Sequence, residues 1–120
     1  MALYIKIALI AGTILLTGCK APEAPLPLPG EKIAEVLADL HLAENAAHEA
    51  PAETKDSLKQ LYYQRIFRDQ GIDEKVFEEC IRLLNQNPAQ LTGIYTRVHE
   101  ILVTREAEAG AGNKDKAGGK

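Results

Sequence analysis

Asn87-Pro88-Ala89-Gln90-Leu91-Thr92-Gly93-Ile94-Tyr95-Thr96-Arg97-Val98-His99-Glu100-Ile101-Leu102 is the stretch that decides the fold. Leu91, Ile94, Tyr95, Val98, Ile101 and Leu102 recur at three and four residues, the spacing that puts apolar side chains on one face of an α-helix. Asn87 followed by Pro88 supplies the start, because an asparagine side chain caps free N–H groups and a proline at the first helical position loses no bond. The segment is therefore expected to be an amphipathic helix running to about Glu106, with its stripe against a core.

Working back along the chain, three more helices carry the same period. Asp73 is a good N-cap, and Ile72 before it can pack on Phe77 after it as a hydrophobic staple. Val76, Phe77, Cys80, Ile81 and Leu84 then form the stripe. A second helix is expected from Thr54 to Gln70, with Leu58, Leu61, Tyr62 and Ile66 facing inward and Gly71 suited to a left-handed C-terminal cap. The first is expected from Glu31 to His48, with Ile33, Val36, Leu37 and Leu40 inside and Pro51 beyond its end. No alternating strand pattern and no internal repeat is present. The chain is thus expected to be all-α, a small bundle of about four helices over residues 31–106. Short connections favour antiparallel neighbours, and a more irregular helix-turn-helix packing is the alternative.

Both ends read differently. Ile7 to Leu16 is an apolar run of about ten residues, too short to span a bilayer, preceded by Lys6: the layout of a secretory signal peptide. It ends in Leu16-Thr17-Gly18-Cys19, which resembles the lipobox of bacterial lipoproteins. Small residues at Thr17 and Gly18 let the backbone enter a peptidase site, and the Cys19 thiol is the nucleophile that accepts a diacylglyceryl group. Cleavage before Cys19 is expected, with two or three acyl chains holding the protein permanently on a membrane. The competing reading is a cysteine buried in a core helix. Residues 19–30 hold four of the six prolines and read as an extended spacer reaching about 30 Å at 3.1 Å per residue. Residues 107–120 are glycine, alanine and charge without an apolar period, and are expected to be disordered.

Composition excludes several functions. Loss of residues 1–18 leaves 13 basic against 17 acidic residues, a net charge of −4. Such a chain has no Lys/Arg cluster to capture nucleic acid or anionic lipid heads. With Cys19 lipidated, Cys80 has no disulfide partner and reads as a small buried hydrophobe. There is no Gly-x-Ser-x-Gly motif, Ser57 is the one serine, and no phosphate-cradling glycine pattern occurs. No catalytic residue, cofactor or metal is assigned, and a non-enzymatic role is expected.

The sharpest polar constellation is His41, Glu44 and His48, within roughly 60° of one another around the first helix. Imidazoles and a carboxylate on one face are the ligand types of a zinc site, with His99 a possible fourth from the last helix. The alternative is that they brace the packing through tyrosine or arginine on other helices. Neither His-Glu-x-x-His nor the Glu-x-x-His of di-iron bundles is present. Tyr63 and Phe67 lie off the stripe of the second helix, which makes them candidates for a partner surface. The competing reading is a second helix buried on two sides.

Asp39-Leu40-His41-Leu42-Ala43-Glu44, Gly71-Ile72-Asp73 leading to Phe77, and Asn87-Pro88 leading to Ile94-Tyr95, taken with the lipobox, resemble a Bacteroidetes lipoprotein family, domain of unknown function 4296. The resemblance covers about residues 15–104 and is most specific in the first helix. It implies a short helical envelope domain with no established activity. The family's signature maps onto Asp39, His41 and Glu44, and its Ile-Tyr pair onto Ile94 and Tyr95, so that a polar network joining the first and last helices through Tyr95 is expected. Leu83-Leu84 stands where the family has tyrosines, which removes that aromatic character here. Taken together, the expectation is an outer-membrane lipoprotein facing the periplasm, docking an envelope protein partner and no nucleic acid, with a metal or small-ligand module built on His41, Glu44 and His48 as the alternative.

Overall fold

The computed structural model describes residues 23–117, with side chains through residue 113. The signal segment and Cys19 lie outside the described residues. Four helices follow in order: α1 (Gly30–His48), α2 (Ala52–Gln70), α3 (Glu74–Asn85) and α4 (Pro88–Ala117). No strand occurs among the described residues.

The local chemistry of the borders is as the residue types dictate. The Asp73 carboxylate accepts from the N–H groups of Lys75 at 2.8 Å and Val76 at 3.2 Å, capping α3. Gly71 ends α2 at φ +65°, a left-handed conformation that costs any residue with a Cβ about 1–2 kcal/mol. The Asn87 side chain accepts from the Gln90 N–H at 3.3 Å and opens α4 at Pro88. Pro29 and Pro51 stand just before α1 and α2, where a helix lacks backbone acceptors for its first N–H groups in any case.

The packing centre is α1. It lies against both α2 and α4, and α3 packs on α4. Ile33, Val36 and two alanines, Ala34 and Ala38, are fully buried in one cluster with Phe67, Phe77, Cys80, Leu84, Ile94 and Val98. Alanines at 34, 38, 43 and 47 are all buried, so α1 presents small side chains that admit close neighbours on more than one side. The place that a two-sided α2 would have taken therefore belongs to α1. Three residues of the expected stripes are outside: Leu61 is 60% exposed, and Val76 of α3 and Tyr95 of α4 are also exposed.

Side-chain pairs fix the directions. Asp39 meets Gln70, Glu44 meets Tyr63 and His48 meets Lys55, so α1 and α2 run antiparallel. By contrast, Glu31 pairs with Arg97 and Asp39 with Arg105, both at a separation of 66 residues, so α1 and α4 run side by side in the same direction. The short α3 turns the chain back to the end where α1 began. Short loops thus produce an antiparallel pair and, one helix further on, a parallel one.

The proline-rich stretch is not a free spacer over its whole length. The Gln90 side-chain amide receives the Ala24 N–H and donates to the Ala24 carbonyl, each at 3.1 Å, and Leu26 and Leu28 pack on the core. Leucines alternating with prolines put both apolar side chains on one side of an extended strap. The other correction is at the far end. Helix α4 continues to Ala117 instead of yielding to disorder near Glu106. Every described side chain from Glu106 to Asn113 is exposed, so the extension is carried by alanine and glutamate propensity on an already nucleated helix.

Candidate cleft between α1 and α4

Where α1 and α4 face each other, they leave a cleft of about 510 Å³. Its floor is Leu37, Leu40, Val98 and Leu102. His41 and Glu44 of α1, Tyr63 of α2, and Tyr95 and His99 of α4 form its rim. The volume falls in the range of small-ligand sites, and the mixture of an apolar floor with a few polar groups is typical of them.

Sequence spacing explains which rim residues arrive. On α1, Leu37, Leu40, His41 and Glu44 follow one another at three and four residues. On α4, Tyr95, Val98, His99 and Leu102 do the same. Tyr95, expected on the buried stripe, is 56% exposed at the cleft mouth, since Ile94 and Val98 already fill the contact with α1.

Two of the five rim residues are engaged with each other. Tyr63 donates its hydroxyl to the Glu44 carboxylate, and Lys59 Nζ lies 3.1 Å from the same carboxylate and 5.4 Å from the centre of the Tyr63 ring. The hydrogen bond from Tyr63, then that from Lys59, holds the Glu44 carboxyl below the usual carboxylate range. Partial burial, then the bond to Glu44, pushes the Tyr63 phenol up. Glu44 is thus a brace between α1 and α2 as well as a rim group.

The other singled-out residues go elsewhere. Asp39 lies outside the cleft and joins three helices: its carboxylate accepts from Arg105 of α4 at 2.6 Å and from Gln70 of α2 at 2.7 Å, while Gln70 accepts from Lys32 at 2.6 Å. Phe67, taken with Tyr63 as a partner surface, is buried at 8% exposure with its ring edge-on to Phe77 at 5.4 Å. It is a core residue, because α2 turns toward the α2–α3 corner there. His48 sits with Nδ1 3.2 Å from Lys55 Nζ and does not line the cleft. His41, Glu44 and His48 therefore do not converge. Among the described residues, no group of three His, Cys, Asp or Glu side chains is placed to hold a metal ion.

Sequence reasoning missed Lys59, Gln70, Arg97 and Arg105 as partners. Their pairings are long-range, and a single chain carries no signal for a contact between helices at a separation of 66 residues.

Two expected results follow from these pairs. Asp39→Ala removes the acceptor of two inter-helix bonds and leaves the half-buried Arg105 unpaired, for an expected loss of about 1–3 kcal/mol in chemical denaturation. An unchanged midpoint would remove Asp39 from the account. The second concerns acid. Glu31 is held below its ordinary value of 4.5 first by its hydrogen bonds to Arg97, and Glu44 below the same value by Tyr63 and Lys59. A carboxylate depressed on folding stabilises the fold above its unfolded value, and that contribution disappears as pH falls through the folded value. Denaturation midpoints should therefore hold down to about pH 4.5 and drop below it, and the drop should shrink in a Glu31→Gln/Glu44→Gln variant.

A four-helix domain with an open, apolar-floored cleft between parallel helices is the class of molecule that the fold and the site define. The chain belongs to the family described as Domain of unknown function (DUF4296), whose model matches residues 26–108. That span opens at Leu26 in the strap and contains every rim and floor residue of the cleft. No curated protein and no solved structure matches the chain.

Proposed function

We propose that the chain is a lipid-anchored cell-envelope module, non-enzymatic, that binds its partner through the cleft between α1 and α4. The observation that carries this reading is the convergence of His41 and Glu44 from the first-helix signature with Tyr95 and His99 of α4 on one open cleft. Supporting a binding rather than a catalytic role, Cys80 lies fully buried in the core, and Ser57 is exposed on α2 and does not line the cleft.

Anchoring is read from Leu16-Thr17-Gly18-Cys19, with the outer membrane and a periplasm-facing domain as its setting. Among the described residues, no helix is long and apolar enough to cross a membrane. Since the strap docks from Ala24 onward, only Cys19 to Glu23 is left to separate lipid from domain, about 15 Å instead of 30 Å. The N-terminal ends of α1 and α4 then face the membrane, and the cleft opens some way along their length.

The test uses full chain recovered from membranes under mild conditions, with copurifying proteins and extracted small molecules identified by mass spectrometry. A Tyr95→Ala/His99→Ala variant, altered only at exposed positions, should lose a species that the parent reproducibly carries. Identical recovery from both would sink the cleft as the recognition site. Anchoring is checked separately: Cys19→Ala should leave the membrane fraction.

A further inference from the structure

The rim of the cleft is asymmetric in its commitments. Glu44 and Tyr63 bond each other, and Lys59 offsets the Glu44 charge. The Tyr95 hydroxyl and the His41 and His99 rings make no hydrogen bond within the described structure, and all three stand at the edge of an apolar floor. Each can donate: a phenol through O–H, an imidazole through at least one N–H in either protonation state.

The local charge points the same way. The chain as a whole is acidic, at −3, yet the cleft's one carboxylate is already matched by Lys59. The charged and titratable groups at the cleft are His41 and Glu44 from α1, Tyr63 and Lys59 from α2, and Tyr95 and His99 from α4, with none from α3. Of these, Glu44 and Lys59 carry opposite charges and pair with each other. On an acidic domain this rim carries one carboxylate, paired with Tyr63 and Lys59, and three donors that remain open to a ligand.

We propose that the cleft takes a single-chain amphiphile with an aliphatic body and a carboxylate head, the chain lying on Leu37, Leu40, Val98 and Leu102 and the head accepting from His41, His99 and Tyr95. This rests on the reading of the cleft as the recognition site and names what it recognises. Charge-assisted bonds to the head supply orientation, and burial of the chain supplies most of the affinity.

The chain's three histidines make the test self-controlled, since His48 lies outside the cleft. Full chain in phosphatidylcholine nanodiscs, with isotope-labelled histidine, is titrated with octanoate, octanol and octylamine while the ring signals are followed by NMR. Octanoate should shift the His41 and His99 rings saturably and leave His48 in place, and octylamine should move none of them. His99→Gln, at an exposed position, should weaken octanoate about tenfold or more and change octanol little. Equal responses to octylamine or octanol, a His48 shift parallel to the others, or no shift at all would each overturn the ligand class. If copurification still depends on Tyr95 and His99 in that event, the binding module stands with a different ligand. If that dependence is also absent, both readings fail.

Discussion

Phe67→Ala is expected to destabilise the domain by about 3–5 kcal/mol, the usual range for emptying a buried aromatic site. At roughly 4–8 °C per kcal/mol for a domain of this size, that is a fall in Tm of at least about 12 °C. The reason is specific to the position. Phe67 is the one buried residue of α2, its ring meets Phe77 edge-on, and the two rings close the corner where α2 turns into α3 through Gly71. Losing it opens a cavity between elements that have little else to hold them. Leu61→Ala is the matched comparison, because Leu61 belongs to the apolar period of α2 yet is 60% exposed. Its expected effect is within about 0.5 kcal/mol. Thermal melts that ranked the two variants equally, or in reverse, would mean that α2 packs with another face inward.

Leu26→Ser combined with Leu28→Ser is expected to cost about 2 kcal/mol, from exposing two half-buried leucines to water. A spacer that merely carries the domain would tolerate the change without cost. The docked strap predicts a lowered denaturation midpoint and faster proteolytic cutting after Glu23, and Gln90→Ala should reproduce part of both by removing the paired bonds to the Ala24 backbone. No change in midpoint would restore the free spacer, and with it the longer reach of the anchored domain.

Much of the fold was legible because its signals are local. Asp73, Gly71 and Asn87-Pro88 act on backbone groups within a turn of themselves, so their roles can be read without knowing the tertiary structure. Ile33, Val36, Phe77, Leu84, Ile94 and Val98 are large and periodic, and all are buried. What escaped is what depends on neighbours. The buried alanines of α1 carry too little hydrophobicity to mark a face, although they place that helix at the centre. Leu61 and Val76 keep the period and lose the burial, since periodicity gives the face of a helix but not how much of it is covered. The strap was hidden by its prolines, whose composition outweighed the alternation of Leu26 and Leu28. The tail beyond Glu106 lacks an apolar stripe, and helix propagation does not require one.

The site divides along the same line. His41 and Glu44 could be singled out from one helix, and Tyr95 from the resemblance, because each lies in a compact motif. That His41 and Tyr95 share a cleft with His99, while Asp39 and His48 leave it, follows only from the parallel course of α1 and α4. That course follows from the return of the chain through α3 and is marked by Glu31 with Arg97 and Asp39 with Arg105, pairs formed between residues far apart in sequence.

Placing a photo-crosslinking amino acid at single positions of the full chain in intact envelopes tests the recognition cleft most directly. At position 95, at the mouth of the cleft, illumination should give a discrete adduct, and at position 78, exposed on α3, it should give none. Adducts formed equally from 78 and 95, or from 78 alone, would contradict the assignment of recognition to the cleft between α1 and α4.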